Sequence, residues 1–213
     1  MSILNGLARL MPDQRNTVTT ERQNAGHWLA IQWLLANAAG VAAGFASAKA
    51  LGQFSFVCAA IIPSVLQWLL LRGKVTGMDW WPVMSSVGLT AGFFLGMLPM
   101  NMAGVDGPQV APLFALGFAL MGAVPGTLQW LLLRRRVSGA GWWVMASSIG
   151  MVGCGMTFIR LTRGAYVNVI WGGAAGGAVF GAVTGVVLNW LLRSSRRDDD
   201  SIKVPKHRNA TAQ

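Results

Sequence analysis

Charged side chains are scarce in this sequence. Only 11% of the 213 residues are charged, whereas an ordinary soluble domain carries about a quarter. Asp and Glu together number seven, and there are two His and two Cys. Apart from Asp198, Asp199 and Asp200 near the C-terminus, these residues are scattered along the chain, so they predict neither a nucleophile with a neighbouring base nor a set of metal ligands. We therefore expect no catalytic residues, no metal site, no cofactor and no enzymatic activity.

Apolar residues are correspondingly abundant. They make up 54% of the chain, and the mean hydropathy is +0.49. Six stretches are long enough to cross a bilayer, which takes about 17–25 residues. They cover 28–48, 54–71, 80–100, 111–133, 142–159 and 167–192. The sequence predicts an all-α integral membrane protein with six transmembrane helices.

The few charges that remain are mostly positive, and the net charge is +10. Of the 17 Lys and Arg residues, all but Lys49, Arg160 and Arg163 lie before the first span, in the second and fourth loops, or after the last span. The positive-inside rule then places both termini on the cytoplasmic side of the cell's inner (plasma) membrane. Basic residues at these edges indicate contact with anionic lipid, so the lipid bilayer is the expected partner and nucleic acid is not.

A short motif recurs along the chain. Gln-Trp-Leu-Leu-Leu-Arg occupies 67–72 and again 129–134, and a shorter copy, Asn-Trp-Leu-Leu-Arg, occupies 189–193. Trp33, Trp81 and Trp143 align at the start of the first helix of each copy, and a polar residue follows four positions later, at Asn37, Ser85 and Ser147. Each copy contains two spans, so the copies are parallel. They predict a pseudo-threefold bundle of three helical-hairpin repeats.

The chain divides accordingly into five segments. We expect a cytoplasmic N-terminal tail at 1–20, hairpin repeats at 21–73, 74–136 and 137–193, and a disordered cytoplasmic tail at 194–213. The repeated Gln-Trp-x-x-Leu-Arg motif, with a Trp pair after it, resembles a family of bacterial multi-spanning membrane proteins built from such hairpins. The function of that family is unknown. The resemblance therefore implies the fold and no activity.

Two groups of residues have ordinary structural interpretations. Trp and Arg at the end of a span anchor it in the headgroup region. The expected interfacial anchors are Trp68, Arg72, Trp130, Arg134, Trp190 and Arg193. Glycines spaced four apart let helix backbones approach closely in lipid. The expected packing residues are Gly40, Gly44, Gly88, Gly92, Gly173, Gly177, Gly181 and Gly185.

The first residue of each motif copy is the one that anchoring does not require. These residues, Gln67, Gln129 and Asn189, precede the motif arginine by four or five residues and so lie deeper in the span. Each follows a proline or glycine by four residues: Pro63, Pro125 and Gly185 respectively. A threefold arrangement predicts that the three amides lie at one depth. They either hydrogen-bond between helices or form a polar constriction on the axis.

These alternatives define two functions. The favoured one is a non-catalytic structural or scaffold subunit, packed against itself as a homo-oligomer or against a partner membrane complex. The other is a small channel or uncoupled transporter whose path passes the amides. Two further candidates stay open: His27 as a ligand, and Met97, Met100 and Met102 as soft sulfur ligands of the kind that suit Cu(I).

Overall fold

The computed structural model describes residues 14–102, 110–162 and 167–202. Within those ranges the secondary structure is helical, with no strand. The six long helices are α1 (Gln14–Ala46), α2 (Ser55–Leu71), α3 (Trp81–Met102), α4 (Val110–Leu133), α5 (Trp142–Thr162) and α6 (Val167–Ile202). A helical turn at Ala48–Leu51 and a 3-10 turn at Gly52–Phe54 connect α1 to α2. Both terminal helices extend into the segments expected to be tails, whose outer parts, 1–13 and 203–213, lie outside the described residues.

Five of the helices are long and apolar enough to cross a membrane. These stretches are His27–Ala46, Trp81–Met102, Val110–Leu133, Trp142–Thr162 and Val169–Ser195. No more than 39% of any of them is buried inside the protein, so most residues of these stretches remain at least partly exposed. The sixth predicted span corresponds to α2, which has 17 residues and is about 25 Å long at 1.5 Å per residue. The chain is therefore a multi-pass, membrane-embedded protein.

The six helices form a closed ring. Each helix packs against the one before it and the one after it, and α6 packs against α1. Glycines permit the closest approaches. A Cβ at Gly88 of α3 would lie 2.6 Å from the Cα of Pro125 in α4, and a Cβ at Gly40 of α1 would lie 2.7 Å from the Cα of Pro63 in α2. Real Cβ atoms do not approach backbone atoms so closely, so only glycine fits at these contacts.

The glycine stripe of α6 packs against α1 and closes the ring. A Cβ at Gly177 would lie 2.6 Å from the carbonyl oxygen of Asn37, and one at Gly181 would lie 2.7 Å from the Cα of Leu34. Such a contact brings two helix backbones together and gains van der Waals packing, which drives helix association in lipid.

The loops after α2 and α4 have the same backbone hydrogen bonds. Val75 donates to Leu71 and Val137 donates to Leu133, both over 2.9 Å. The turns that follow use glycines with positive φ, 74° at Gly77 and 71° at Gly139, a conformation that other residues adopt only with strain. These loops return the chain to the ring at Trp81 and Trp143.

A cluster of buried apolar side chains, here called the apolar plug, fills the end of the ring where these loops lie. That end also carries exposed basic residues of the two loops, including Arg72 and Arg134, and is called the basic end below. The plug consists of Trp33, Leu71, Val75, Met78, Trp81, Leu133, Val137, Ala140, Trp143, Leu188 and Leu191.

Candidate functional site

Three tryptophans meet at the centre of the ring. Trp33 of α1, Trp81 of α3 and Trp143 of α5 contact each other edge to face, with ring centroids 6.1, 5.9 and 5.9 Å apart. We call them the indole triad. Their exposed fractions are 0%, 0% and 1%, so solvent reaches them neither from the basic end nor from the other side. Edge-to-face packing is the arrangement that aromatic quadrupoles favour.

Two of the predicted amides lie directly against this triad. The indole nitrogen of Trp81 donates to Gln67 Oε1 over 3.1 Å, and that of Trp143 donates to Gln129 Oε1 over 2.7 Å. Each amide also donates through its nitrogen. Gln67 Nε2 bonds Asn37 Oδ1 at 2.8 Å, and Gln129 Nε2 bonds a serine of α3 at 2.7 Å. The oxygen and the nitrogen of both buried amides are therefore engaged within the protein.

A threonine takes the third position. The indole nitrogen of Trp33 donates to Thr184 Oγ1 over 3.0 Å. The Thr184 hydroxyl in turn donates to the carbonyl of Phe180 over 2.7 Å. Thr184 thus accepts from the triad as the glutamines do. Its single hydroxyl proton is already used, however, so it does not donate to a neighbouring helix.

Asn189, the expected third amide, lies five residues beyond Thr184, or about 7.5 Å along the helix. It is half-buried and lines a small pocket with Val186, Trp190 and Arg193. The structure thus brings Gln67 and Gln129 to the triad and leaves Asn189 outside it. Sequence reasoning missed Thr184 and assigned no role to the indole triad, although the three tryptophans do align in the sequence.

The contacts between helices explain why Thr184 occupies this position. Gly40 faces Pro63 and Gly88 faces Pro125, four residues before Gln67 and Gln129. The equivalent glycine of α5, Gly150, faces Phe180, with its Cβ position 3.5 Å from the Cα of Phe180. Phe180 is four residues before Thr184. A fully buried leucine follows four residues after each triad acceptor, at Leu71, Leu133 and Leu188.

One polar atom near the triad has no partner. Asn37 and Ser85, four residues after Trp33 and Trp81, each accept from a glutamine amide. Ser147 follows Trp143 at the same spacing, is 1% exposed, and its Oγ makes no hydrogen bond. Among the described residues, the only other buried side-chain nitrogen or oxygen without a partner is Trp68 Nε1.

A central cavity of about 860 Å³ lies on the other side of the amides from the triad. Its polar lining includes Asn37, Gln67, Ser85, Gln129 and Ser147. Phenylalanines and methionines make up much of the rest, including Phe45, Phe93, Phe118, Phe158, Met121 and Met151. Two further lining residues, Phe54 and Phe94, are 63% and 61% exposed. The cavity therefore extends to the outer surface beside α2 and α3.

The expected anchors lie at the basic end. The Arg72 guanidinium lies 5.4 Å from the Trp68 ring centroid, and that of Arg134 lies 5.2 Å from the Trp130 ring. Both distances fall within the range of a cation–π contact. Trp190 is 50% exposed.

The remaining candidates do not assemble into a ligand set. His27 is exposed. Met97 and Met100 line the cavity, whereas Met102 is 78% exposed. The described part of the chain contains no group of three His, Cys, Asp or Glu side chains that is able to hold a metal ion.

Comparison with known proteins adds no functional information. No family model, curated protein or solved structure matches the chain.

Proposed function

We propose that the chain is a six-span bundle of three helical hairpins, related by a pseudo-threefold axis through the indole triad. Three observations support this arrangement: the nearly equal centroid distances of the triad, an acceptor for each indole nitrogen, and the matching loops after α2 and α4. In this proposal α2 is the sixth span. The basic end faces the cytoplasm of a bacterial inner membrane, in accordance with the positive-inside rule.

We infer that the protein is a non-catalytic, non-conducting structural subunit. The observation that carries this inference is the packing of the triad. Three indoles in mutual contact, backed by Leu71, Leu133 and Leu188, fill the axis at the basic end. A solute moving along the axis would have to separate side chains that are among the most completely buried in the described structure. The amides, whose hydrogen-bonding groups are engaged within the protein, then serve to hold the triad in place.

A subunit role predicts a stable partner. The full chain, purified from its native membrane in mild detergent after chemical crosslinking, should elute in one complex of fixed stoichiometry with another membrane protein or with further copies of itself. Recovery of the chain alone, as a monodisperse monomer at every crosslinker concentration, would overturn the subunit role.

One observation favours a second function, that of an uncoupled transporter. The central cavity reaches Gln67 and Gln129 from the side opposite the plug, as an access path to a polar constriction would. Transport then requires the triad to open during each cycle. Covalent locking distinguishes the two functions. The helices that carry Leu71 and Leu133 do not contact each other directly, so a disulfide cannot join these positions and a bifunctional thiol reagent is used instead. Crosslinking Cys residues introduced at Leu71 and Leu133 with that reagent would abolish flux in a transporter and would leave complex formation by a structural subunit intact.

A further inference from the structure

We propose that the central cavity is a binding site for a neutral amphiphile. Such a ligand has a hydrocarbon body, which lies against the phenylalanine and methionine walls, and one uncharged oxygen group, which bonds to Ser147 Oγ. This inference concerns the cavity alone. It stands whether or not the protein is a subunit of a larger complex.

The size and composition of the cavity suit such a molecule. Its volume of about 860 Å³ falls within the range of about 300–1,000 Å³ that is typical of small-molecule sites. Such sites are mostly apolar and contain a few polar groups that fix the orientation of the ligand. Here the walls carry Phe45, Phe118 and Phe158, and the two glutamine amides lie with their partners at the end near the triad. The polar group of a ligand would therefore point towards the triad.

Ser147 is a fully buried polar residue of the lining whose hydroxyl is not satisfied within the protein. In the two comparable positions a glutamine amide satisfies the polar side chain, at Asn37 and at Ser85. In the third, the acceptor is Thr184, whose hydroxyl proton is committed to Phe180. Ser147 lines the cavity, and its Oγ is consequently buried without a partner. Buried polar groups are nearly always hydrogen-bonded, so an unpaired one in a cavity wall indicates a missing partner.

The adjacent serine shows that the lack of a hydrogen-bond partner is specific to Ser147. Ser148 donates to the carbonyl of Val144 over 3.0 Å, which is the usual way for a helical serine to satisfy itself. Ser64 bonds Ala60 in the same way, over 2.6 Å. Ser147 does not use the equivalent carbonyl and so retains both a donor and an acceptor.

The chemistry of the lining indicates that the ligand carries no charge. None of the described residues that line the cavity is Asp, Glu, Lys, Arg or His. An ionised headgroup would lose its hydration without gaining a counter-charge, which is costly in an apolar environment. A hydroxyl or a carbonyl is satisfied by the serine alone. A glycerolipid with a free hydroxyl and a free long-chain alcohol or ketone both present this chemistry.

Photo-crosslinking tests the proposal directly. The probe is a hexadecan-1-ol analogue with a diazirine at mid-chain, added to the full chain in maltoside micelles, and the labelled residues are mapped by peptide mass spectrometry. We expect labelling of cavity walls such as Phe118 and Met151. Unlabelled hexadecan-1-ol should compete about twofold to tenfold better than hexadecane, because it adds one hydrogen bond. Hexadecanoate at pH 9 should compete less well than either.

Two substitutions sharpen the test. Ser147→Ala should lower site labelling about twofold to tenfold, whereas Ser148→Ala, outside the lining, should leave it unchanged. Leu89→Trp places a large ring in the cavity lining and should abolish labelling. Competition by dioleoylglycerol or by hexadecan-1-ol then shows whether a glycerolipid or a free alcohol is the better occupant.

Three results would overturn the proposal. They are labels that map only outside the cavity, equal competition by hexadecane and hexadecan-1-ol, and equal labelling of the Ser147→Ala and Ser148→Ala variants. If Ser147→Ala does not fold, the competition series with the unmodified chain still decides, because it compares ligands and requires no variant.

Discussion

The indole nitrogen of Trp143 donates a 2.7 Å hydrogen bond to Gln129 Oε1, and this bond ties the start of α5 to the end of α4. The same amide bonds α3 through its nitrogen. One side chain therefore connects three consecutive helices. Because both partners are buried, breaking this contact leaves polar groups that neither water nor lipid satisfies.

Gln129→Leu should destabilise the protein by about 1–3 kcal/mol, since it leaves the buried indole nitrogen of Trp143 unpaired. Hydrogen bonds between membrane helices average only about 0.6 kcal/mol and reach about 1.7. A loss of about 2–3 kcal/mol would therefore include the cost of leaving the buried indole N–H of Trp143 without an acceptor. The free energy of unfolding is measured in mixed micelles of maltoside and dodecyl sulfate.

Asn189→Leu is the matched control for that experiment. The residue has the same chemistry but lies outside the amide contacts of the triad, so its replacement should change the free energy of unfolding by less than about 0.5 kcal/mol. Equal losses for the two variants would contradict the special position of Gln129.

Trp81→Ala should cost about 3–5 kcal/mol, as large-to-small changes of a buried aromatic do. Trp81 is fully buried and contacts both other members of the triad. Its neighbour Trp80 is 62% exposed, and Trp80→Ala should cost far less. Thermal denaturation of both variants, followed by near-ultraviolet circular dichroism, provides the comparison. Similar midpoints would show that the triad is not a structural centre.

Gly88→Ala should destabilise the α3–α4 contact by about 1–3 kcal/mol through overpacking. The alanine Cβ would lie 2.6 Å from the Cα of Pro125, and the rigid proline backbone cannot easily move away from it. Gly141→Ala is the control, because no atom lies within 4 Å of its Cβ position. The free energies of unfolding of the two variants separate close packing from any general effect of replacing glycine. No difference between them would exclude a tight α3–α4 contact.

Much of this structure is predictable from sequence because membrane burial leaves few alternatives. Apart from the start of α1 and the end of α6, apolar runs of sufficient length predict helices that start and end within a few residues of the observed ones, as at Trp81 and Leu133. The glutamines of the first two motif copies also occupy equivalent positions beside the triad. Gln67 and Gln129 each precede a triad tryptophan by 14 residues, and matching loops fix that separation.

The sequence groups Asn189 with Gln67 and Gln129, whereas in the structure Thr184 contacts the triad. The reason is that no such loop follows the third copy of the motif. Helix α6 continues past its Trp–Arg pair to Ile202, so the motif at 189–193 does not mark the end of the helix. Its position is set instead by the glycines that pack against α1, and these bring Thr184 to the triad. The sequence signal was available in principle. Thr184 precedes the fully buried Leu188 by four residues, as Gln67 precedes Leu71.

The proposed closure of the axis by the indole triad is tested most directly by solute flux. Proteoliposomes that contain the unmodified chain are subjected to a glycerol gradient, and their volume change is followed by stopped-flow light scattering. If the indole triad seals the axis, the rate will equal that of protein-free liposomes of the same lipid. A faster, protein-dependent rate that disappears when both Gln67 and Gln129 are replaced by Leu would contradict the account.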